Sequence, residues 1–395
     1  MQFCSGISDA VNARTAAEAA CRQITEQMAG ASCHLACVFA STAYRTSWSV
    51  VLSHIHAQLN PTVLLGCSGS GIIGGEQELE WVPGISVIAA HLPGVRLFPV
   101  AIAPDELELS SPGGFWVDKI GAAPDAQPVF IVFADPHTSD PLKLLTELNE
   151  TYRGRPIIGG LVSGGNHAGE QFLFLDTEVY DEGAVGVAMT GNITMETVVS
   201  QGCRPVGRPY VVTKAEDNII WQLGGRQAVE VLHEVLAVMT QPDRELAQQG
   251  SIFVGLVINE MRSAFSLGDF LIRNIVGIDP SVGALAITDR VQVGQTVQFH
   301  LRDAATSRDE LRRLLEQRRK SNGQTPVGAL LFNCTGRGKS LYGIPHHDIT
   351  TIRAVAGRLP IGGFFCNGEI GPIGGTNFLH GYTASLGLFR PAHTA

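Results

Sequence analysis

The chain has 395 residues, of which 45% are hydrophobic and 16% are charged, and its formal net charge is −9. This composition excludes a disordered chain and leaves room for two or three domains. The negative charge argues against a nucleic-acid partner, since the one dense basic run, at 308–320, has the leucine spacing of a solvated amphipathic helix. No apolar stretch approaches the roughly 20 residues of a membrane helix, and the N-terminus lacks the features of a signal peptide. We therefore expect a cytoplasmic protein without membrane insertion.

The first quarter of the chain predicts helices and strands that lead into a glycine-dense loop. An alanine-rich helix has Ser8 or Asp9 as its N-cap and ends at Gly30. The glycine-dense segment begins at Pro61 and reads PTVLLGCSGSGIIGG. The predicted elements in chain order are a helix at 9–29, a strand at 35–41, a helix at 48–59, and strands at 62–66, 77–81, 86–91 and 96–101.

The plan of strand, helix, strand and glycine-dense loop then returns twice. The second loop begins at Pro156 (PIIGGLVSGGNHAGEQ) and the third at Pro360 (PIGGFFCNGEIGPIGG). A repeated unit with a polar, glycine-rich loop predicts duplicated scaffolds that present loops to a ligand. The second copy is predicted at 128–134, 141–152, 156–160, 172–175, 184–190 and 194–200, and the third at 327–333, 347–357, 361–366 and 376–389.

The middle of the chain predicts a looser copy of the same unit, with a helix at 226–239 and several strands after it. Turn-forming residues at 201–209 predict a division into one domain of residues 1–205 and a second of residues 206–395. Strands outnumber helices, and hairpin-like runs follow each glycine loop. We therefore predict an α/β (α+β) fold in two halves, in which duplicated β-α-β-β units form mixed sheets packed in layers with outer helices.

The third copy carries the richest chemistry. Its turn at 333–338 follows a predicted strand and combines a thiol, the permanent cation of Arg337 and free backbone N–H groups, which suits a carboxylate ligand. The neighbouring Gly338-Lys339-Ser340 resembles the end of a phosphate loop, but Asn333 stands where such a loop needs its first glycine. The first two loops offer mainly backbone and hydroxyl groups, and we expect them to turn the chain.

The third glycine loop supplies a carboxylate to the same region. Glu369 lies among apolar residues and glycines, where it requires a partner: Arg337, a ligand amine or backbone N–H groups. An Arg337–Glu369 ion pair that braces two loops and a ligand site are both open interpretations. The candidate ligand-binding residues are Asn333, Cys334, Arg337, Gly338, Cys366, Asn367, Glu369 and Thr376.

These two segments resemble the C-terminal half of FIST domain proteins, and the segments at 65–68 and 159–163 resemble the FIST N region. Many relatives have an aromatic residue before the Gly-Glu pair, where this chain has Asn367. The resemblance implies a sensory module that binds a small ligand, such as an amino acid. The matching C-terminal residues are Cys334, Arg337, Gly338, His346, His347, Gly363, Phe364, Gly368, Glu369, Ile370, His380 and Thr383.

The resemblance also implies a finer function, because some stand-alone relatives are haem proteins that sense nitric oxide and regulate histidine kinases or cyclic-di-GMP enzymes. A chain with no output domain would then signal through a partner protein. For haem b, the candidate axial ligands are His346, His347 and His380, and the absence of Cys-x-x-Cys-His excludes covalent attachment. A sensor of an amino acid or another small carboxylate without haem, and a homodimer, are open alternatives.

An enzyme is a further alternative. Cys334 or Cys366 could act as a nucleophile with a nearby histidine as base. Ser68 lies in a glycine-rich turn that loosely resembles a nucleophile elbow, although the order of residues differs. All eight cysteines are expected to be reduced, mostly as buried thiols in apolar runs, and a zinc site is not expected.

Overall fold

The computed structural model describes residues 1–262, 264–321 and 324–392. Two compact units divide the chain: Met1–Val199 with the segment from Leu311 onward form the first unit, and Ser200–Glu310 form the second. The second unit is therefore an insertion into the sequence of the first. The predicted α/β architecture with several mixed sheets is confirmed.

The first unit begins with a repeat that contains two helices and a β-hairpin. Its first helix is capped by Asn12, whose side chain accepts from Thr15 N, and not by Ser8 or Asp9 as predicted, because a strand occupies residues 2–8. The elements of this repeat are β1 (Gln2–Ser8), α1 (Ala13–Met28), β2 (Leu35–Ser41), a 3₁₀ helix (Thr42–Ser47), α2 (Trp48–Leu59), β3 (Val63–Gly69), β4 (Gly71–Gly74), β5 (Gln77–Glu80) and β6 (Ile85–His91).

The second repeat follows the same order. Its first helical segment is divided into two short helices, α3 and α4. The elements are β7 (Val95–Ile102), α3 (Pro104–Leu109), α4 (Gly114–Ile120), a 3₁₀ helix (Pro124–Ala126), β8 (Val129–Ala134), α5 (Pro141–Thr151), β9 (Ile157–Leu161), β10 (Leu173–Leu175), β11 (Glu178–Tyr180) and β12 (Ala184–Gly191). The next strand, β13 (Thr194–Ser200), begins the third repeat.

The second unit interrupts the third repeat after β13. The predicted helix and strands of the middle of the chain are present. The strands form one seven-stranded sheet whose neighbours run antiparallel, so this unit is not a copy of the repeat, which has a parallel strand pair. Buried apolar side chains from this unit alone form its core. The elements are β14 (Cys203–Glu216), β15 (Ile219–Leu223), β16 (Arg226–Gln227), α6 (Ala228–Val238), α7 (Gln241–Gln248), β17 (Ile252–Val257), β18 (Phe270–Asp279), β19 (Ala284–Ile287) and β20 (Thr296–Arg302).

The helix predicted from the basic run begins in the second unit, and the third repeat resumes within it at Leu311. Leu311 and Leu315 of this helix are buried, as its amphipathic pattern predicts. The remaining elements are α8 (Ala304–Ser321), β21 (Gly328–Cys334), α9 (Lys339–Tyr342), α10 (His347–Ala356), β22 (Ile361–Cys366), β23 (Gly368–Ile373), β24 (Thr376–His380) and β25 (Ala384–Arg390).

Each repeat contributes to two sheets. In the first sheet the strand order is β1-β6-β2-β3-β10-β11, so the hairpin at its edge comes from the second repeat. The sheet order β24-β23-β9-β8-β12-β7 takes its hairpin from the third repeat, and β13-β25-β21-β22-β4-β5 takes its hairpin from the first. Each hairpin directly follows the glycine loop of its own repeat and joins a sheet of another repeat. The three repeats are therefore linked in a closed cycle at those loops.

Equivalent phenylalanines from the three repeats meet in the core of the first unit. Phe39 lies 5.6 Å from Phe133 and 6.2 Å from Phe332 between ring centroids, and Phe133 lies 5.7 Å from Phe332. All three rings are fully buried. Edge-to-face contacts at these distances add to the free energy gained by removing the rings from water. The three sheets therefore share one apolar centre.

The glycines of the repeated phrase allow each parallel strand pair to approach closely. Gly66 is paired with Val38, Gly159 with Val132 and Gly363 with Leu331. A Cβ atom at any of these glycines would overlap the carbonyl oxygen of its partner. The glycines are therefore required within the strands, before the chain reaches the loops.

Candidate functional site

The ends of the three glycine loops meet in the first unit. Ser70, Ser163 and Asn367 each stand four residues after the close-approach glycine of their repeat. Ser70 N donates to Ser163 Oγ at 2.9 Å, and Asn367 Nδ2 donates to the carbonyl oxygen of Val162 at 3.1 Å. Ser163 Oγ also donates to the carbonyl oxygen of Phe365. Hydrogen bonds thus join all three loops at one point.

A pocket of about 510 Å³ lies at this junction. Its volume falls within the usual range of about 300–1,000 Å³ for small-molecule sites. All of its lining residues belong to the first unit, and each of the three repeats contributes at least two of them. They are Ser41, Thr42, Ala43, Gly69, Ser70, Trp81, Val82, Pro83, Gly164, Gly165, Asn166, Thr335 and Asn367.

The lining of this pocket combines apolar surface with polar side chains that carry no charge. Hydroxyl groups come from four serines and threonines, and amide groups come from Asn166 and Asn367. None of these described lining residues has an ionisable side chain. The pocket can therefore offer hydrogen-bond donors and acceptors to a ligand, but no side-chain charge.

The structure places the predicted site residues in two different environments. Asn367 lines the pocket, together with Thr335 from the turn that contains Cys334 and Arg337. Arg337 is fully buried, and its guanidinium donates to Asp348 through Nε at 2.8 Å and Nη2 at 2.9 Å. Asn333 Nδ2 donates to the same carboxylate at 3.1 Å. No sequence motif marks Asp348, which lies in the first turn of α10.

A second buried carboxylate lies beside this ion pair. Glu78 of β5 accepts from Ile349 N at 2.9 Å. Burial, followed by the charge of Asp348, raises the pKa of Glu78 to about 8. Burial alone would also raise the pKa of Asp348, but the charge of Arg337 and hydrogen bonds from His347, Arg337 and Tyr342 outweigh it and lower that pKa. The pair therefore favours an ionised Asp348 beside a protonated Glu78.

The other predicted ligand residues do not line the pocket. Glu369 is fully buried, and its Oε2 accepts from Thr383 N at 3.0 Å. Gly338 packs against Glu80, whose carboxylate accepts from Lys339 N at 2.8 Å. Cys334 and Cys366 are buried. Thr376 is exposed at the start of β24.

The three histidines proposed for haem do not line the pocket. His346 Nδ1 accepts from Glu78 N at 2.9 Å. The His347 ring stacks on Tyr342 with centroids 3.8 Å apart, and His380 Nε2 lies 2.9 Å from the carbonyl oxygen of Gly371. Axial ligation needs an imidazole nitrogen that faces the iron, beside a slot wide enough for the porphyrin. At the described pocket, the residues present do not fit haem.

Of the two thiols considered for catalysis, that of Cys366 is a poor nucleophile in this setting. Burial, followed by the neighbouring charge of Glu369, raises the pKa of Cys366 well above its ordinary value, so it remains a neutral thiol. Ser68 Oγ is fully buried and donates to the carbonyl oxygen of Ser163 at 3.3 Å. Across residues 1–262, 264–321 and 324–392, no group of three or more His, Cys, Asp or Glu side chains is arranged to hold a metal ion. The same residues contain no helix long and apolar enough to cross a membrane.

Most of the pocket was not predicted from the sequence. Only the third glycine loop was expected to bind a ligand, whereas all three loops contribute lining residues. Aligning the repeats on Gly66, Gly159 and Gly363 would have placed Ser70 and Ser163 at the position of Asn367. No comparable sequence signal marks Trp81, or Ser41 and Thr42 where β2 ends and the 3₁₀ helix begins. These residues come to the pocket only when the chain folds.

Two domain matches cover most of the sequence. The FIST N domain matches residues 34–226, and the FIST C domain matches residues 228–372. The chain belongs to the FIST family. FIST domains are sensory domains that bind small ligands in signalling. The domain boundary predicted between residues 205 and 206 stays a prediction, since the family domains and the compact units divide the chain at different positions.

The chain is also similar over nearly its whole length to proteins from mycobacteria. An uncharacterized protein from Mycobacterium tuberculosis is 38% identical over 98% of this chain and 100% of the relative. One from Mycobacterium bovis is 37% identical over 98% of this chain and 99% of the relative. Among solved structures, a cyanuric acid hydrolase from A. caulinodans matches 99% of this chain and 100% of that chain, with 8% identity and a TM-score of 0.30. That likeness is too weak to support an argument about function.

Proposed function

We propose that this FIST protein is a sensor that binds a small polar molecule without haem, in the pocket where the three glycine loops meet. The observation that carries the proposal is the convergence of Ser70, Asn166 and Asn367, one from each repeat, around a single pocket. A ligand there contacts all three repeats at once. Its binding energy can therefore favour one arrangement of the repeats over another, which is the physical requirement for a sensor.

The lining favours hydrogen bonding over charge pairing. The sequence suggested a carboxylate ligand held by Arg337, but that guanidinium donates to the buried carboxylate of Asp348. An anion in the pocket would find backbone N–H groups, hydroxyls and amides but no side-chain cation among the described lining residues. This arrangement supports a ligand that is recognised mainly by neutral hydrogen bonds.

The experiment is a ligand-observed NMR screen of the purified protein with the standard amino acids and a set of small neutral amides. We expect at least one compound to bind the wild type and to lose binding in Ala43→Trp, which places an indole in the pocket from the exposed 3₁₀ helix. Ala57→Trp on the exposed face of α2 is the matched control and should bind as the wild type does. Binding that survives in Ala43→Trp, or a screen with no binder, would contradict the proposal.

Haem-based nitric oxide sensing is a separate form of the hypothesis, which comes from the family resemblance. It would couple the protein to a histidine kinase or a cyclic-di-GMP enzyme, and a homodimer would be compatible with it. The contacts of His346, His347 and His380 give it no support at the described pocket. A haem titration followed by absorbance tests it. A Soret band that shifts with nitric oxide and disappears in one histidine variant would favour haem over the non-haem ligand.

A further inference from the structure

Trp81 has a conformation and an exposure that fold stability does not explain. It lies in the loop between β5 and β6 with φ at 62°, in the left-handed region, where a bulky residue is strained. Its side chain is 74% exposed, so it gains little from burial. A residue that costs backbone strain and contributes little packing is a candidate for a functional role.

The loop that carries Trp81 is fixed at both ends. On one side, the carboxylate of Glu80 accepts from Lys339 N at 2.8 Å. On the other side, Gly84 N donates to Ser41 Oγ at 3.2 Å, and Ser41 N donates to Gly84 O at 2.8 Å. These contacts hold the backbone of the Trp81 loop in place at the rim of the pocket before any ligand arrives. Such preorganisation lowers the entropy cost of binding.

Trp81 is also the one aromatic residue among the described residues that line the pocket. It shares the rim with Val82 and Pro83, while the remaining lining consists mainly of hydroxyls, amides and backbone. The pocket thus combines a flat apolar surface with uncharged hydrogen-bonding groups. A charged ligand would lose hydration without meeting an opposite side-chain charge, whereas a neutral ring with polar edges would match both surfaces.

We infer that the pocket selects a neutral, flat ring compound with hydrogen-bonding groups on its edge, and that the Trp81 indole packs on the face of that ring. This inference rests on the proposed function, since it names the ligand class of the same pocket. Ser70, Asn166 and Asn367 supply the edge contacts, and Trp81 supplies the face contact. Trp81 is therefore a specificity-determining residue of the sensor.

The test compares two sets of matched probes by ligand-observed NMR. The first is benzamide with cyclohexanecarboxamide and benzoate, and the second is uracil with dihydrouracil and orotate. In each set, the second compound loses the flat ring and the third gains a negative charge. We expect benzamide or uracil to bind about three- to tenfold more tightly than both of its partners, which is the range of an aromatic contact. Equal or tighter binding of the saturated or anionic compounds would overturn the inference.

Substitution of Trp81 separates a ligand contact from a structural role. Trp81→Gly removes the indole and relieves the left-handed strain, so we expect an unchanged or raised Tm together with binding about three- to tenfold weaker. Trp221→Ala, in the second unit, is the control and should leave probe affinity unchanged. A lowered Tm with unchanged affinity in Trp81→Gly would overturn the inference.

The two proposals fail in different ways. If a saturated or charged compound binds the wild type at least as tightly as its flat, neutral partner and does not bind Ala43→Trp, the pocket is a ligand site but the assignment of ligand class is wrong. If none of the six probes binds, the ligand-class inference fails. The wider amino-acid and amide screen with Ala43→Trp then decides separately whether the proposed function also fails.

Discussion

At the scale of single residues, the charged groups near the pocket are bonded to one another. Asp348 accepts hydrogen bonds from Arg337, Tyr342 and Asn333, so its charge is stabilised although the side chain is fully buried. Glu78 lies close enough for the charge of Asp348 to disfavour its own ionisation. The Arg337 guanidinium therefore pairs with the ionised carboxylate of Asp348, and the carboxyl group of Glu78 favours its neutral form.

This arrangement predicts a pH dependence of stability. The pKa of Glu78 is raised from 4.5 to about 8, so between these values the folded protein keeps a proton that the unfolded chain has lost. Raising the pH through this window therefore lowers the free energy of unfolding, and the stabilisation present below pH 4.5 is lost as the pH approaches about 8. Glu78→Gln cannot ionise and should show a smaller fall in Tm across the window.

Thermal unfolding of the wild type and of Glu78→Gln at a series of pH values measures this effect. Glu178→Gln on the exposed strand β11 is a matched control and should follow the wild type. Parallel Tm curves for the wild type and Glu78→Gln would show that Glu78 does not titrate differently in the folded and unfolded states.

At the scale of elements, the closest packing is between the two parallel strands of each repeat. Gly66, Gly159 and Gly363 face backbone carbonyls that cannot move aside without breaking the sheet pairing. The loops that form the pocket begin a few residues later on the same strands. The position of the pocket therefore depends on how closely these strands approach.

Gly363→Ala should destabilise the protein strongly. The added Cβ would overlap the carbonyl oxygen of Leu331, and relief requires a shift of β22 against β21. We expect the free energy of unfolding to fall by about 1–3 kcal/mol, the usual cost of overpacking. Gly114→Ala at the start of α4 meets nothing within 4 Å and should be neutral or slightly stabilising. Urea unfolding measures both, and equal midpoints would contradict the close-approach explanation.

At the scale of the whole molecule, three repeats form the pocket-bearing unit, and the second unit is inserted into the third repeat. The ends of the inserted unit lie together, since Ser200 Oγ donates to Glu310 Oε2 at 3.1 Å. Both the pocket lining and the phenylalanine centre come from the first unit alone. The insertion is therefore not needed to build the pocket.

Replacing residues 200–310 by a short glycine-serine linker should leave a folded protein with an intact pocket. We expect cooperative thermal unfolding, and probe binding that remains sensitive to Ala43→Trp. Calorimetry and the NMR assay measure these two properties. A folded protein that has lost this binding would show that the second unit contributes to ligand recognition.

The sequence predicted much of the fold because its signals are local. Continuous apolar runs such as 128–134 and the proline before each glycine loop marked the strands, and Ile361–Cys366 was predicted with its observed bounds. The antiparallel middle unit was not predicted, because strand patterns alone do not distinguish antiparallel from parallel partners. The site was only partly visible: Asn367 was identified, whereas Trp81 and Ser41 carry no motif.

By itself the sequence determined the family, the repeated strand-helix-strand unit and the glycines that this unit requires. These follow from residue type and spacing along one stretch of chain. Only the tertiary structure decided that each hairpin joins the sheet of another repeat, that Arg337 pairs with Asp348, and that three loops share one pocket. The physical reason is that these contacts join residues far apart in the chain. Hydrogen bonding between strand edges and burial of apolar faces fix them only when the whole unit is folded.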